Sequence, residues 1–286
     1  MRISFYLIVI VYLLRYPLVT ARAARNALII WGESVVPVLF PYMLFCRSLL
    51  GSLRRIPLPT HAVAAALGML GGSPSGAAAL MACRFSISQR TLYALCSLTG
   101  TISPMFLLGT MLSWTNDPNL CTKLLLAHWA GAVVCALIVF GLYRHHTERC
   151  MLSSEGEPHP PSPLTQSIDA ILQVGGCIIG YSVLAEVLKK ALLSFSALPY
   201  VVHAALEVSG GIHAICENEL LSGHKEILLA AACGFTGCSI LAQNHAFLKK
   251  AGIRMHQLVF FAILRMMISV IMMLIMSSVP YFSSMA

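Results

Sequence analysis

The chain has 286 residues, of which 58% are hydrophobic and 10% charged, with a formal net charge of +8. Soluble domains carry about 25% charged residues, so this composition excludes an ordinary soluble domain, and several apolar stretches reach the roughly 20 residues that a membrane span needs. It also argues against a nucleic-acid partner: no basic stretch is interleaved with exposed aromatics, and the positive charge falls in short connections, where it sets orientation and meets anionic lipid head groups.

Arg2 followed by Ile3 to Leu14 resembles the charged and apolar parts of a signal peptide. No small-x-small cleavage site follows; Arg15 and Pro17 interrupt, and Arg22 and Arg25 come next. Residues 1–25 therefore read as an uncleaved N-terminal membrane anchor. A first membrane half is expected over 26–143. Its first segment, Asn26 to Leu50, contains Pro37 and Pro41, which remove hydrogen bonds and predict a bent or re-entrant helix. Arg54-Arg55 follows as a basic connection. Residues 60–83 are broken by the glycine patch Gly68 to Gly76, and 91–113 are interrupted at Thr99-Gly-Thr-Ile-Ser-Pro104. After a polar turn at 114–122, residues 123–143 read as an ordinary span.

The stretch 144–164 carries Arg144, His145, His146, Glu148 and Arg149, then several prolines, and reads as an exposed linker. The second half, 165–286, opens with a segment holding Gly175-Gly176 and Gly180 and ending at Lys189-Lys190. Residues 197–216 are broken at Ser209-Gly-Gly211, an acidic turn spans 217–226, and 227–248 carry a second glycine patch. A last span covers about 256–279. Aligned side by side, Gly68 falls on Gly234, Gly71 on Gly237 and Ser73 on Ser239. This suggests a duplicated broken helix, which in membrane chains points to a binding site at the bilayer midplane. The expected fold is an all-α polytopic membrane protein of two related halves with broken or re-entrant helices. Basic turns at 84–90, 144–149 and 249–254 read as cytoplasmic and the acidic turn as external; parallel and inverted repeats stay open.

Cys46, Cys83, Cys96, Cys135, Cys177 and Cys233 lie in apolar runs without shared spacing and without C-x-x-C, so they read as reduced apolar filler. His145-His146 reads as solvated, and His203 and His213 straddling a glycine break are a weak metal pair; no metal or cofactor is expected. No GxSxG, HExxH, P-loop or helically spaced carboxylate pair occurs, so no catalytic residue is assigned and the chain reads as a non-enzyme. Ionisable residues within apolar segments are Glu33, Asp169, Glu186, Glu207 and Arg265, and such residues face a cavity or a partner by default. Glu207, two residues before a glycine break, is the candidate for a coupled proton or cation. Arg265 reads as snorkelling to the surface or meeting a substrate. Gln243-Asn244-His245 places three polar side chains at membrane depth. Ser73-Pro-Ser75-Gly76 resembles a helix start whose N–H groups suit an anion. The candidate substrate set is thus Ser73, Ser75, Gly76, Gly234, Gly237, Ser239, Gln243, Asn244 and His245.

The order Trp31-x-x-x-Val-Val-Pro37-x-Leu-Phe-Pro41, Gly68-Met-Leu-Gly-Gly-x-Pro-x-Gly-Ala77 and Gly100-x-x-x-Pro-x-Phe-Leu-Leu-Gly109 resembles the YlbJ-type sporulation integral membrane proteins. So does Leu206-Glu-Val-x-x-Gly-Ile212 followed by Cys233-Gly-Phe-x-Gly-x-Ser-Ile-x-Ala-Gln243. The resemblance runs through the chain from about residue 20. It implies the wider Gate, or nucleoside-recognition, domain group and a role in spore formation, with dipicolinate passing across the outer forespore membrane. Gly72-Ser73-Pro74 departs from the aromatic that more often precedes the proline, as does the position of His245 after Gln243 rather than ahead of the alanine-glutamine pair. The implied partners are a small anionic substrate and the lipid bilayer, with a homo-oligomer left open. A nucleoside-type carrier and a non-transporting scaffold of a larger sporulation complex are the alternatives.

Overall fold

The computed structural model describes residues 2–53, 60–82, 85–152, 162–191 and 198–278. Arg54-Arg55, Cys83, Arg84 and the proline-rich part of the linker, 153–161, lie outside the described residues. Helix α1 runs Arg2–Arg15 and α2 Pro17–Ile30, with Pro17 in the first turn, where a missing N–H costs nothing. The anchor expected to end at 25 therefore ends at Arg15, and the first span starts at Pro17. A π-helical turn, Trp31–Val35, joins α2 to α3, Val36–Leu53. That turn lies just ahead of Pro37 and Pro41, and the chain widens locally instead of ending. Of the two forms expected here, bent or re-entrant, the re-entrant one is not seen: the apolar run from Pro17 to Leu49 is continuous.

The glycine and proline breaks take two forms. In the first, the helix folds back on itself. α4 (Thr60–Gly71) and α5 (Ser75–Ala82) form a hairpin in which a Cβ on Gly68 would stand 2.8 Å from the Gly76 Cα. α10 (Leu198–Leu206) and α11 (Val208–Glu217) form another, with Gly211 directly against the Ala204 backbone. In the second form the chain crosses with an opened middle. α6 (Gln89–Thr99) passes through the bend 100–104 into a π-helical stretch, Phe106–Met111, and α7 (Leu112–Thr115). α12 (Lys225–Phe235) passes through Thr236 into α13 (Gly237–Leu248). Unbroken spans are α8 (Pro118–Leu142), α9 (Pro163–Ala191) and α14 (Met255–Ser278). Short strands β1 (Phe85–Ser88) and β2 (Arg149–Leu152) pair antiparallel, Ser88 opposite Arg149.

Each half therefore has the order span, hairpin, broken span, span: α2–α3, α4/α5, α6–α7, α8, then α9, α10/α11, α12–α13, α14. The packing shows that equivalent helices of the two halves run in opposite directions. Along the α8–α14 contact Tyr143 meets Phe261, Cys135 Sγ donates to the Phe261 carbonyl at 3.6 Å, and Gly131 leaves no room beside Ser269. Rising numbers on α14 match falling numbers on α8, so the two are antiparallel. In the same way Trp31 packs on Gly175, and Arg47 donates to Gln166 Oε1 at 2.6 Å, so α2–α3 and α9 are antiparallel.

This order corrects the pairing of the two glycine patches. Residues 65–77 hold a hairpin tip, whereas 231–243 lie in a broken span, so Gly68 and Gly234 do different work. The counterpart of Ser73-Pro-Ser-Gly76 is Glu207-Val-Ser-Gly210, the tip of the second hairpin.

The inversion also settles the charge pattern. Tyr93, Tyr143, Leu248 and Ile253 share one apolar cluster, which puts the start of α6, the end of α8 and the basic turn 249–254 at one end of the bundle. Arg90 lies over the Phe140 ring at 3.7 Å at that same end. At the other end Ser277 donates to Glu226 beside the acidic turn. The positive-inside rule predicts that the basic end faces the cytoplasm. With native cysteines removed, Glu148→Cys and Lys250→Cys should react with an impermeant maleimide only after permeabilisation, and Gly223→Cys in intact cells. Reaction of Glu148→Cys and Lys250→Cys from opposite sides contradicts the inverted arrangement.

Candidate functional site

All four breaks meet at one cavity of about 70 Å3, room for several water molecules. The first hairpin tip turns at Gly72, φ +67°, a conformation that only glycine adopts freely. Tyr42 fills the space over Gly71 and donates its hydroxyl to the Leu67 carbonyl. The tip docks on the first broken span: Ser73 N donates to the Thr101 carbonyl at 2.6 Å, and Ser73 Oγ to the Thr99 carbonyl at 3.3 Å. The second tip starts α11 at Glu207, whose carboxylate accepts from Ser209 N at 3.0 Å and Gly210 N at 2.6 Å. An acid there complements the positive end of the helix. In the second broken span Thr236 and Gly237 both have positive φ, and Gly237 lies close under the Val208 amide. A Cβ there would reach 3.1 Å from it.

Polar lining comes from Ser34, Ser73, Ser103, Thr110, Glu207, Ser209, Ser239 and Gln243, against apolar walls that include Phe106, Val174 and Ile178. Glu207, only 2% exposed, is the one ionisable side chain in this lining. Gln243 Nε2 donates to Ser239 Oγ at 3.2 Å, one turn back on α13, and its Oε1 is buried without a partner. Asn244 donates to Ser73 Oγ at 3.1 Å, joining the second broken span to the first hairpin, and its Oδ1 is likewise unpartnered. α13 begins without a side-chain cap, and Ser239 and Ile240 in its first turn line the cavity.

Of the nine residues expected to bind substrate, Ser73, Ser239 and Gln243 line the cavity. Asn244 stands behind Ser73. Ser75 is buried near Arg47 and Ala78, away from the cavity. Gly76 packs on Thr99, Gly234 on the Met266 backbone, and Gly237 on the second hairpin; these glycines permit close approach and contact no open space. His245 is half-buried and outside the lining. The N–H groups expected at the start of α5 are partly taken: Gly76 N donates to Gly72 O and Ala78 N to Pro74 O. Glu33 and Asp169 are exposed, and Glu186 lies 3.9 Å from Lys189. His213 stacks edge-on against Trp114 at 4.8 Å, and His203 Nε2 is buried beside Gly210.

Ser34 and Thr110 escaped the sequence reading. Each is a lone hydroxyl in an apolar run, turned inward by the π-helical stretches at 31–35 and 106–111, which leave no mark in composition. Ser103 sits in a break that was legible but was not singled out.

Arg265 neither snorkels nor meets the cavity. It is 2% exposed and donates to three acceptors: Gly234 O at 2.9 Å, Ser97 O at 3.0 Å and Thr236 Oγ1 at 3.2 Å. The two carbonyls belong to the C-terminal ends of α6 and α12, where helix dipoles concentrate negative charge. One guanidinium fork thus ties together both broken spans just below their openings.

The chain is similar to the sporulation integral membrane protein YlbJ of Bacillus subtilis (strain 168), 24% identical over 311 aligned positions that cover 88% of this chain and 76% of that protein. The resemblance read from the order of glycine and proline motifs therefore extends over most of the chain. No protein-family model matches the chain, and no solved structure does.

Arg265→Met leaves three buried acceptors without their donor, at roughly 1–3 kcal/mol each. It should lower the unfolding temperature in detergent markedly, with Arg265→Lys recovering only part. An unchanged midpoint in Arg265→Met contradicts the role given to this residue.

Proposed function

We propose that the chain is a transporter or facilitator for a small organic anion. The observation that carries this is a cavity between the two halves lined by Ser73, Ser239 and Gln243, whose Oε1 is unpartnered, with Ser239 in the first turn of α13, a helix without a side-chain cap. Helix N-termini of this kind accept anionic groups, and discontinuous helices meeting between inverted repeats are where secondary transporters hold their substrates. The α11 start is already occupied by the Glu207 carboxylate, so a substrate carboxylate is directed to α13 and Ser73. The name of the Bacillus relative supports a place in sporulation. With the family resemblance, this makes dipicolinate, a compact aromatic dicarboxylate, the first substrate to test, imported across the outer forespore membrane. Glu207 is the group through which a proton or a cation would be coupled.

A nucleoside-type carrier is the second reading. The unpartnered amide end of Gln243, in the cavity lining, favours it, since it could bond a base or ribose edge. A scaffold role is less well supported: glycines 68, 76 and 234 are used in packing within the chain.

Proteoliposomes should accumulate dipicolinate in preference to nucleosides. Glu207→Gln should lose gradient-driven accumulation yet keep exchange of substrate; unchanged accumulation with unchanged pH dependence, at matched protein level, removes the coupling role. Gly71→Leu, which drives a side chain into Tyr42, and Gly237→Leu, strained at φ +78°, should abolish uptake while the protein still inserts. Normal uptake in both sinks the model of paired breaks around one site.

A further inference from the structure

His128 sits in the middle of α8, 1% exposed, and outside the cavity lining. Its Nε2 accepts the backbone N–H of Ile102 at 3.0 Å, and its Nδ1 is buried without a partner. Ile102 belongs to the bend of the first broken span, and Ile102 and Ser103 both line the cavity. A backbone N–H freed by a break at membrane depth has no water to turn to. Without an acceptor the bend would have to re-form helix or turn that donor toward the cavity. The imidazole ring therefore sits where it can fix the direction of the bend. With the Ile102 N–H pointing at Nε2, the neutral ring carries its proton on Nδ1.

We propose that His128 is a positioning residue for the substrate cavity: its Nε2 lone pair captures the Ile102 N–H and so holds Ser103 and Phe106 at the cavity wall. The role rests on the transport reading only for its consequence for uptake; the geometry can be tested without any substrate. The conservative replacement is glutamine, whose amide oxygen can accept the same N–H. Leucine and methionine are near in size and lack a comparable acceptor.

The test uses the full chain purified in detergent, free of other cysteines, with Ser103→Cys as reporter. The rate of its modification by a small sulfonated thiol reagent is measured with His128, His128→Gln, His128→Leu and His128→Met, alongside unfolding temperature. The expected result is a rate close to the parent for His128→Gln and changed by about fivefold or more, the equivalent of one net hydrogen bond, in whichever of the Leu and Met variants remains monodisperse. KM for dipicolinate should move in the same variants, with Vmax less affected. A Leu or Met variant that melts lower while Ser103→Cys reacts at the parent rate overturns the proposal and leaves His128 as packing. Equal change in His128→Gln and the apolar variants also overturns it. If labelling follows the expected pattern but no dipicolinate is taken up by any form, the positioning role stands and the substrate assignment falls.

Discussion

A helix opened inside a bilayer releases N–H and C=O groups that lipid cannot satisfy, and this chain opens four times around one cavity. Nearly everything else follows from how those groups are answered. The carbonyl ends of α6 and α12 are gathered by Arg265. The Ile102 N–H goes to His128, the Ser73 N–H to Thr101 O, and the Ser209 and Gly210 N–H groups to Glu207. The first hairpin tip and both broken spans are closed by residues from other elements, and the second tip is closed by its own cap, Glu207. The two buried ionisable side chains meet opposite helix poles: Arg265 the carbonyl ends of the broken spans, Glu207 the N–H groups that start a hairpin helix.

The inverted order turns these local repairs into a site. With α8 crossing α14 and α2–α3 crossing α9 antiparallel, the hairpin tips approach the centre from opposite faces and each docks on the broken span of its own half. Asn244 then bridges the halves by reaching Ser73. The resulting cavity is asymmetric. One helix start, α11, carries its own carboxylate, and another, α13, has no side-chain cap.

Much of the fold was legible. Composition points to a helical membrane protein, and the glycine clusters at 68–76, 99–104, 209–211 and 234–237 are real interruptions, whereas Gly176 and Gly180 lie open on an unbroken α9. What the sequence did not show was the kind of break. A hairpin and an opened span are both about two dozen apolar residues with glycine near the middle; they differ only in whether small residues on the two arms, Gly68 with Gly76 or Ala204 with Gly211, pack on each other. Matching glycine to glycine therefore paired a hairpin with a span, and the better match, Ser-Gly at 75–76 with Ser-Gly at 209–210, was too short to stand out. Arg265 misled for a related reason: a lone basic residue in an apolar run looks the same whether it reaches for water or for helix ends. Gln243 is legible because polar groups at membrane depth must have a purpose, and Ser239 through a glycine-patch alignment that paired unlike breaks, whereas Ser34 and Thr110 lie in π-helical turns that carry no sequence signature.

The central claim is that breaks from both halves face one shared space. In a cysteine-free background with a protease site in the 144–164 connection, Ser73→Cys can be paired with Ser239→Cys, and Ser103→Cys with Ser209→Cys. After treatment with a short thiol cross-linker and cleavage of the connection, the account predicts that the two halves stay covalently joined in both pairs. Joining only within a half, as for Ser73→Cys with Ser103→Cys, while both cross-half pairs separate, would show that each half shields its own break and would contradict the single cavity.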